Sequence, residues 1–338
     1  MDKNSGKTFV SAQQVADRAG VSRSAVSRTF TQGASVSPST RQRVLAAAAE
    51  LGYHVNHLAR GLIHDRSNIV SLVGANIDTP HQSRMLTSLT RHLQNANKVA
   101  MVINTSGEAT NSEAALRQTL HYRADATIVL SGQPDPSLIE TCLANGQHVI
   151  LINRDDPVPG PDSIVVSNRR SARAAFAMLQ EAGCSRMAVV TSEVGSASLA
   201  ARETAFVAAA HEAGTSVDVI RRGPTAYSSG VEAARLILGQ SDRPDGVFCV
   251  TDLLALGFMD AARHDFHLRI PNDLSVVGFD DIEQAGWSSY QLTTFAQPVD
   301  AIAQYIVSLI DQPTRSDTLR EPTRFEALPV WRSSVRKA

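Results

Sequence analysis

Residues 11–30 read SAQQVADRAGVSRSAVSRTF, the pattern of two short helices meeting at a tight corner. Ser11 is placed to accept hydrogen bonds from the free N–H groups opening the first helix, on which Val15 and Ala16 form an apolar stripe. The corner is Ala19-Gly20-Val21, where Gly20 can take a positive φ that a Cβ would resist. Ser22 then caps a second helix, with Ala25, Val26 and Thr29 inward and Arg23, Ser24 and Arg28 outward. Two helices at a steep angle across such a turn form a helix-turn-helix, whose second helix fits a DNA major groove. Helix pairs with glycine corners also occur in plain helical domains, so geometry alone leaves the two readings level. The outer face separates them: two arginines, several hydroxyls and no carboxylate between Val21 and Glu50. A helix meant only for water mixes its charges. This one is built to meet an anion.

The charge distribution agrees. Over 338 residues the net charge is −1, but residues 1–66 carry nine Lys/Arg against four Asp/Glu, a net +5. The remainder carries 23 Lys/Arg against 29 Asp/Glu, a net −6. A basic head on an acidic body suits a head that sits on phosphate while the body faces water. Cys142, Cys184 and Cys249 lie far apart and offer neither a zinc spacing nor an even disulfide set, so buried thiols are expected. No apolar run reaches the ~18 residues of a membrane helix, and the first residues lack a signal-peptide core. The expected compartment is the cytoplasm, with no membrane partner, no metal and no cofactor.

Residues 1–9 read as a disordered polar tail. The loop 31–40, TQGASVSPST, ends in Ser37 and Pro38, a cap and an opening residue for a third helix from Ser39 to Leu51. Val44, Leu45, Ala48 and Leu51 are expected to close a small core, and Gly52 to end the helix. The next stretch, YHVNHLARGL (53–62), is short and contains Gly61, a poor helix on its own. A plain linker fits it. So does a segment that folds only on a partner, because Leu58, Ala59 and Leu62 share one face and could wedge between base steps.

Three strings together resemble the LacI/GalR family of bacterial transcription regulators. They are V15-A16-D17-x-A19-G20-V21-S22-x-x-A25-V26-S27-R28, then V36-S37-P38-x-T40-R41-x-R43-V44, then E50-L51-G52-Y53-x-x-N56-x-x-A59-R60-x-L62. The resemblance implies that Ser22, Arg23, Ser24, Ser27 and Arg28 meet operator DNA in the major groove. It also implies that a hinge segment carrying Asn56, Ala59 and Leu62 enters the minor groove. Val55 stands where family members usually carry proline.

From residue 69 the chain alternates β-rich and amphipathic helical runs. Strands are expected at 69–75, 98–104, 126–130, 148–152, 163–167, 187–191, 217–221, 246–251 and 274–279, with helices such as 83–96, 109–122, 168–182, 199–213, 228–239 and 253–264 between them. Continuous apolar strands alternating with helices imply parallel sheets covered on both faces. Nine strands exceed one tidy sheet, so two lobes are expected, with a ligand beyond the strand ends in the cleft between them. The family resemblance extends here more thinly, through LINR (151–154), ARETAF (201–206), VTDLLALG (250–257), LSVVGFDD (274–281) and LTTFAQP (292–298).

The expected fold is thus a small all-α helix-turn-helix headpiece plus an α/β periplasmic-binding-protein-like body of two Rossmann-like lobes. The expected divisions are a tail 1–9, a DNA-binding domain 10–53, a hinge 54–67 and a body 68–338. Within the body, the N-lobe takes about 68–165 and 298–326 and the C-lobe about 166–297 and 327–338. The resemblance places an effector on His81, Gln82, Asn153, Arg202, Thr251, Asp280 and Gln297. Arg202 offers a planar fork and Asp280 two acceptor oxygens. With His81, Gln82 and Thr225 where many members stack aromatic rings, a small polar ligand is expected: a sugar, a sugar acid or a sugar phosphate. The expected protein is a repressor, a homodimer on pseudo-palindromic double-stranded operator DNA. A solute-binding receptor without a DNA role is the alternative. An enzyme would need a phosphate loop or a nucleophile set, and the chain has no GxGxxG, GxxxxGK[ST] or GxSxG.

Overall fold

The computed structural model describes residues 9–31, 33–54, 66–105, 109–131, 135–154, 159–312 and 319–337. The chain forms two compact units, Met1–Ser67 and Asn68–Ala338. The tail 1–8 and the hinge stretch 55–65 lie outside the described residues.

The first unit has three helices, α1 (Ala12–Ala19), α2 (Arg23–Thr29) and α3 (Pro38–Leu51). Ser11 and Gln14 cap α1 reciprocally, and Gly20 ends it at φ 63°. Ser22 accepts from the Ala25 N–H and Ser37 from the Thr40 N–H, so each helix begins on a serine. Val15, Ala16, Ala19, Val26, Val44, Ala47 and Ala48 make the core, and the Phe30 and Tyr53 rings meet beside it at 5.6 Å. Leu45, expected inside, is 47% exposed, and Ala47 takes its place. The reason is the helical period: Val44, Ala47, Ala48 and Leu51 fall at i, i+3, i+4 and i+7, and Leu45 lies off that stripe. The Arg41 guanidinium donates to the Thr29 carbonyl at 2.9 Å, tying the end of α2 to α3.

In the second unit a six-stranded sheet holds β1 (Ile69–Gly74), β2 (Val99–Asn104), β3 (Ala126–Val129), β4 (His148–Ile152), β5 (Asp162–Val166) and β11 (Thr323–Phe325). Their order is β11-β5-β4-β3-β1-β2, with every pairing parallel. A four-stranded parallel sheet holds β6 (Met187–Thr191), β7 (Val217–Arg221), β8 (Gly246–Cys249) and β9 (Ser275–Val277), in the order β7-β6-β8-β9. Two short strands, β10 (Thr294–Ala296) and β12 (Leu328–Val330), pair antiparallel with each other in a separate two-stranded sheet. All nine expected strands are present. Strands β10 to β12 were not anticipated, because TFA, TRF and LPV sit among polar residues and prolines, without the continuous apolar run that marks the equally short β9.

The helices of this unit are α4 (Pro80–Asn95), α5 (Ala109–His121), α6 (Pro136–Ala144), α7 (Asn168–Glu181), α8 (Ala197–Glu212), α9 (Tyr227–Leu238), α10 (Asp252–His264) and α11 (Val299–Ile310). In both sheets the second strand lies outside the first and the third lies on its other side, so the strand order reverses between β1 and β3 and again between β6 and β8. Ligands of such sheets sit at that reversal, beyond the carboxyl ends of the strands. Helices α9 and α10 pack backbone to backbone. A Cβ on Gly230 would stand 2.1 Å from the Leu254 carbonyl oxygen, and one on Gly257 would stand 1.9 Å from that of Tyr227.

Candidate functional site

Two sets of side chains stand out, one in each unit. In the first, Ser22, Arg23, Ser24, Ser27 and Arg28 are all exposed on α2 and its cap, while Val26 and Thr29 hold the helix to the core. The Ser24 hydroxyl lies 2.9 Å from that of Ser22, and the Arg28 Nε reaches back to the Ser24 carbonyl at 3.4 Å. No hydrogen bond among the described residues engages the Arg23 side chain. This face is therefore cationic, hydroxyl-rich and carried on a helix that the Ser22 cap and the buried Val26 and Thr29 hold in place. Asn56, Ala59 and Leu62, the remaining expected DNA contacts, lie outside the described residues.

The second set sits at the carboxyl ends of the strands of the two sheets. Arg202 projects from the first turns of α8 and is 3% exposed. Its Nε donates to Asn168 Oδ1 at 2.8 Å and its Nη1 to the Val250 carbonyl at 2.7 Å, where β8 ends. Asp280 Oδ1 lies 3.7 Å from the same Nη1 and accepts from Gln297 Nε2 at 2.7 Å. The guanidinium carbon sits 3.5 Å over the Phe279 ring, a stacked cation–π contact, and Phe279 stacks in turn on Phe295. Burial pushes the Arg202 guanidinium down to about 10, with Asp280 and Asp252 opposing, so it remains a cation near neutrality. Thr251 caps α10 through the Leu254 N–H, one residue beyond Val250.

The other expected contacts come from the first sheet. His81 and Gln82 follow Pro80 at the start of α4, after β1, and both are half-buried. The Nδ1 of His81 is shielded from water and has no hydrogen-bond partner among the described residues. Burial lowers the pKa of this imidazole, more than the nearby Asp280 carboxylate raises it, which keeps the ring neutral. Asn153 follows β4 at φ 61°, and its Oδ1 is likewise buried and unpartnered. Buried polar atoms without partners are costly, and a ligand that supplies their hydrogen bonds removes that cost.

The structure therefore joins Arg202 to Asp280 by an ion pair and Asp280 to Gln297 by a hydrogen bond, with Thr251 adjacent and His81 within range of their charges. Gln82, in the first turn of α4, and Asn153, just after β4, make no hydrogen bond to that cluster among the described residues. Sequence reasoning missed Asn168, Phe279 and Ser192, whose hydroxyl lies 2.8 Å from that of the expected Thr225. The Arg84 Nη1 also reaches the Asp281 carbonyl at 2.9 Å, a link from α4 to the loop after β9. A groove of about 780 Å³ opens beside it, lined by Ser83, Arg84, Glu283, Gln284 and Asp300 among others.

Comparison with known proteins decides the assignment. The profile described as "Bacterial regulatory proteins, lacI family" matches residues 12–56, the helical unit, and "Periplasmic binding protein-like domain" matches residues 176–335. The helical unit is a lacI-family DNA-binding domain, and a periplasmic-binding-protein-like domain follows it. The curated relatives that the chain resembles are transcriptional regulators. GalS of Salmonella typhimurium is 29% identical over 89% of this chain and 89% of its own. Catabolite control protein A of Priestia megaterium is 26% identical over 92% of this chain and 94% of its own. Among solved structures, the lac repressor dimer bound to operator and the anti-inducer ONPF superposes with a TM-score of 0.88. It covers 97% of this chain and all of that one, and at 23% identity it shows a shared fold. The CelR–cellobiose complex superposes at 0.70 with 25% identity, over 96% of this chain and 99% of that one.

Proposed function

We propose that this chain is a LacI-family member, a cytoplasmic repressor that acts as a homodimer and is controlled by an uncharged polyhydroxylated ligand, a sugar or a close relative. Two heads address the halves of a pseudo-palindromic operator, since a two-fold protein selects two-fold DNA. Arg23 and Arg28 reach base edges from α2, with Ser22, Ser24 and Ser27 on the flanking backbone and bases. Asn56, Ala59 and Leu62 follow in the minor groove. The ligand lies against Arg202, Asp280, Gln297 and Thr251 from one lobe and His81, Gln82 and Asn153 from the other. Bridging the lobes, it favours one arrangement of them, and the operator affinity changes by no more than that preference.

One observation carries the choice of a neutral ligand: the single buried cation of the site is already matched. Arg202 faces Asp280 at 3.7 Å and spends two donors on Asn168 and Val250. A carboxylate or phosphate placed there would compete with Asp280 in a site with no further buried cation among the described contacts. Hydroxyl groups instead find both kinds of partner, donors on Arg202 and Gln297 and acceptors on Asp280, His81 and Asn153. The CelR complex with cellobiose supports the same class. A receptor without a DNA role would have no use for residues 12–56.

The test is a thermal-shift and calorimetric titration of the full chain with neutral mono- and disaccharides, set beside gluconate and hexose phosphates. Stabilisation by a neutral sugar, lost in Asp280→Asn, is the expected result. Stabilisation by the acids or phosphates alone would overturn the reading.

A further inference from the structure

Asp252 opens α10 and is fully buried behind the cleft. Its carboxylate has two partners from two different segments. Oδ1 accepts the Thr294 hydroxyl at 2.5 Å, and Oδ2 accepts the Ile282 N–H at 2.9 Å. Its own N–H donates to the Phe279 carbonyl at 2.7 Å. Three pieces of chain thus converge on one side chain: α10, the loop 278–282 that carries Asp280, and β10, which runs on to Gln297 and α11.

The loop needs such a holder. Asp280 and Asp281 sit at φ 123° and 50°, backbone conformations that L side chains rarely adopt. Gly278 is forced by the carboxylate itself, since a Cβ there would stand 2.2 Å from Asp252 Oδ1. A buried carboxylate is an expensive way to fill space, and an apolar residue would do that more cheaply. Its use here calls for a hydrogen-bonding role, which the carboxyl can fill in either protonation state: Oδ2 accepts the Ile282 N–H, and the Thr294 hydroxyl can donate to Oδ1 or accept from it.

We propose that Asp252 is a positioning residue: it holds the ligand-facing Asp280 loop and clamps that loop to β10, the strand that carries the chain back to the other lobe. The proposal rests on Asp280 contacting the ligand, but its test is made without ligand, so the two can fail separately.

Burial pushes the Asp252 carboxyl up to about 7, with the Asp280 and Asp281 charges adding to the rise and the Thr294 and Ile282 hydrogen bonds opposing it. The other groups that face it are Cys249 at the end of β8 and Arg202 on α8. Opening the loop admits water to the carboxyl and returns it to the ordinary range, so the closed loop binds the proton more tightly than the open one. Closure is therefore favoured in acid, and that support is lost as pH rises through about 7.

Hydrogen exchange of the full-length protein at pH 6 and pH 8, corrected for intrinsic rates, reads this directly. In the wild type, opening of the 278–284 segment is expected to rise roughly tenfold between the two. In Asp252→Asn, whose neutral amide offers one acceptor and one donor as the protonated acid does, the segment should lose its pH dependence and exchange at pH 8 about as slowly as at pH 6, while β6 and α9 exchange as before. Thr294→Val, which removes only the hydroxyl donor, should loosen 278–284 and 292–297 selectively and serves where the Asn variant does not accumulate. Wild-type exchange in both variants, or the same pH slope in the Asn variant, would overturn the proposal; so would loosening spread evenly over the lobe, which marks a merely structural role.

Discussion

Replacing Arg202 with methionine keeps much of the side-chain volume and removes only the guanidinium. Three groups then lose their partner: Asn168 Oδ1, the Val250 carbonyl and the Asp280 carboxylate, all of them buried or at a buried strand end. Breaking a buried ion pair from one side costs about 3–5 kcal/mol, chiefly because the remaining charge is left without compensation. The 3.7 Å separation and the Gln297 bond to Asp280 place this case at the low end, near 3 kcal/mol. For a unit of this size that corresponds to roughly 5–6 °C in melting temperature. Calorimetry of the full chain measures it, and the double variant Arg202→Met with Asp280→Asn should recover part of the loss, since it removes the stranded charge. Both variants should lose the ligand response while the head still binds DNA below the melting temperature. A melting temperature within about 2 °C of wild type would refute the claim that Arg202 is locked by these partners.

Arg28→Ala should lower the ratio of operator to random-DNA affinity by about 1–3 kcal/mol; an unchanged ratio in a binding titration would remove Arg28 from base reading. Arg41→Ala frees the Thr29 carbonyl and should destabilise the head by about 1.5–3 kcal/mol, weakening specific and random binding together, as fluorescence anisotropy would show. Gly257→Ala places a methyl against the Tyr227 carbonyl and should cost at least about 1–3 kcal/mol by forcing α9 from α10; denaturation at wild-type midpoint would contradict that packing.

The sequence alone determined the elements and the character of the head. Serine caps, Gly20 and the i, i+3, i+4 stripe are local signals, written within a turn or two of the residues they govern. The nine longer strands were legible for the same reason, each being a continuous apolar run between helices. What the tertiary structure decided is everything that depends on distant partners. Arg202 could be read as a fork able to grip a ligand, yet two of its donors are taken by Asn168 and Val250 and its charge is faced by Asp280, residues 34 to 78 positions away that only the folded sheet ends bring together. Asp252, in sequence an ordinary first-turn acid, becomes the fixed point of a strained loop because β10 and residue 282 fold back onto it. Short-range hydrogen bonding and periodicity leave a record along the chain. Charge compensation inside a closed site leaves none until the strands are side by side.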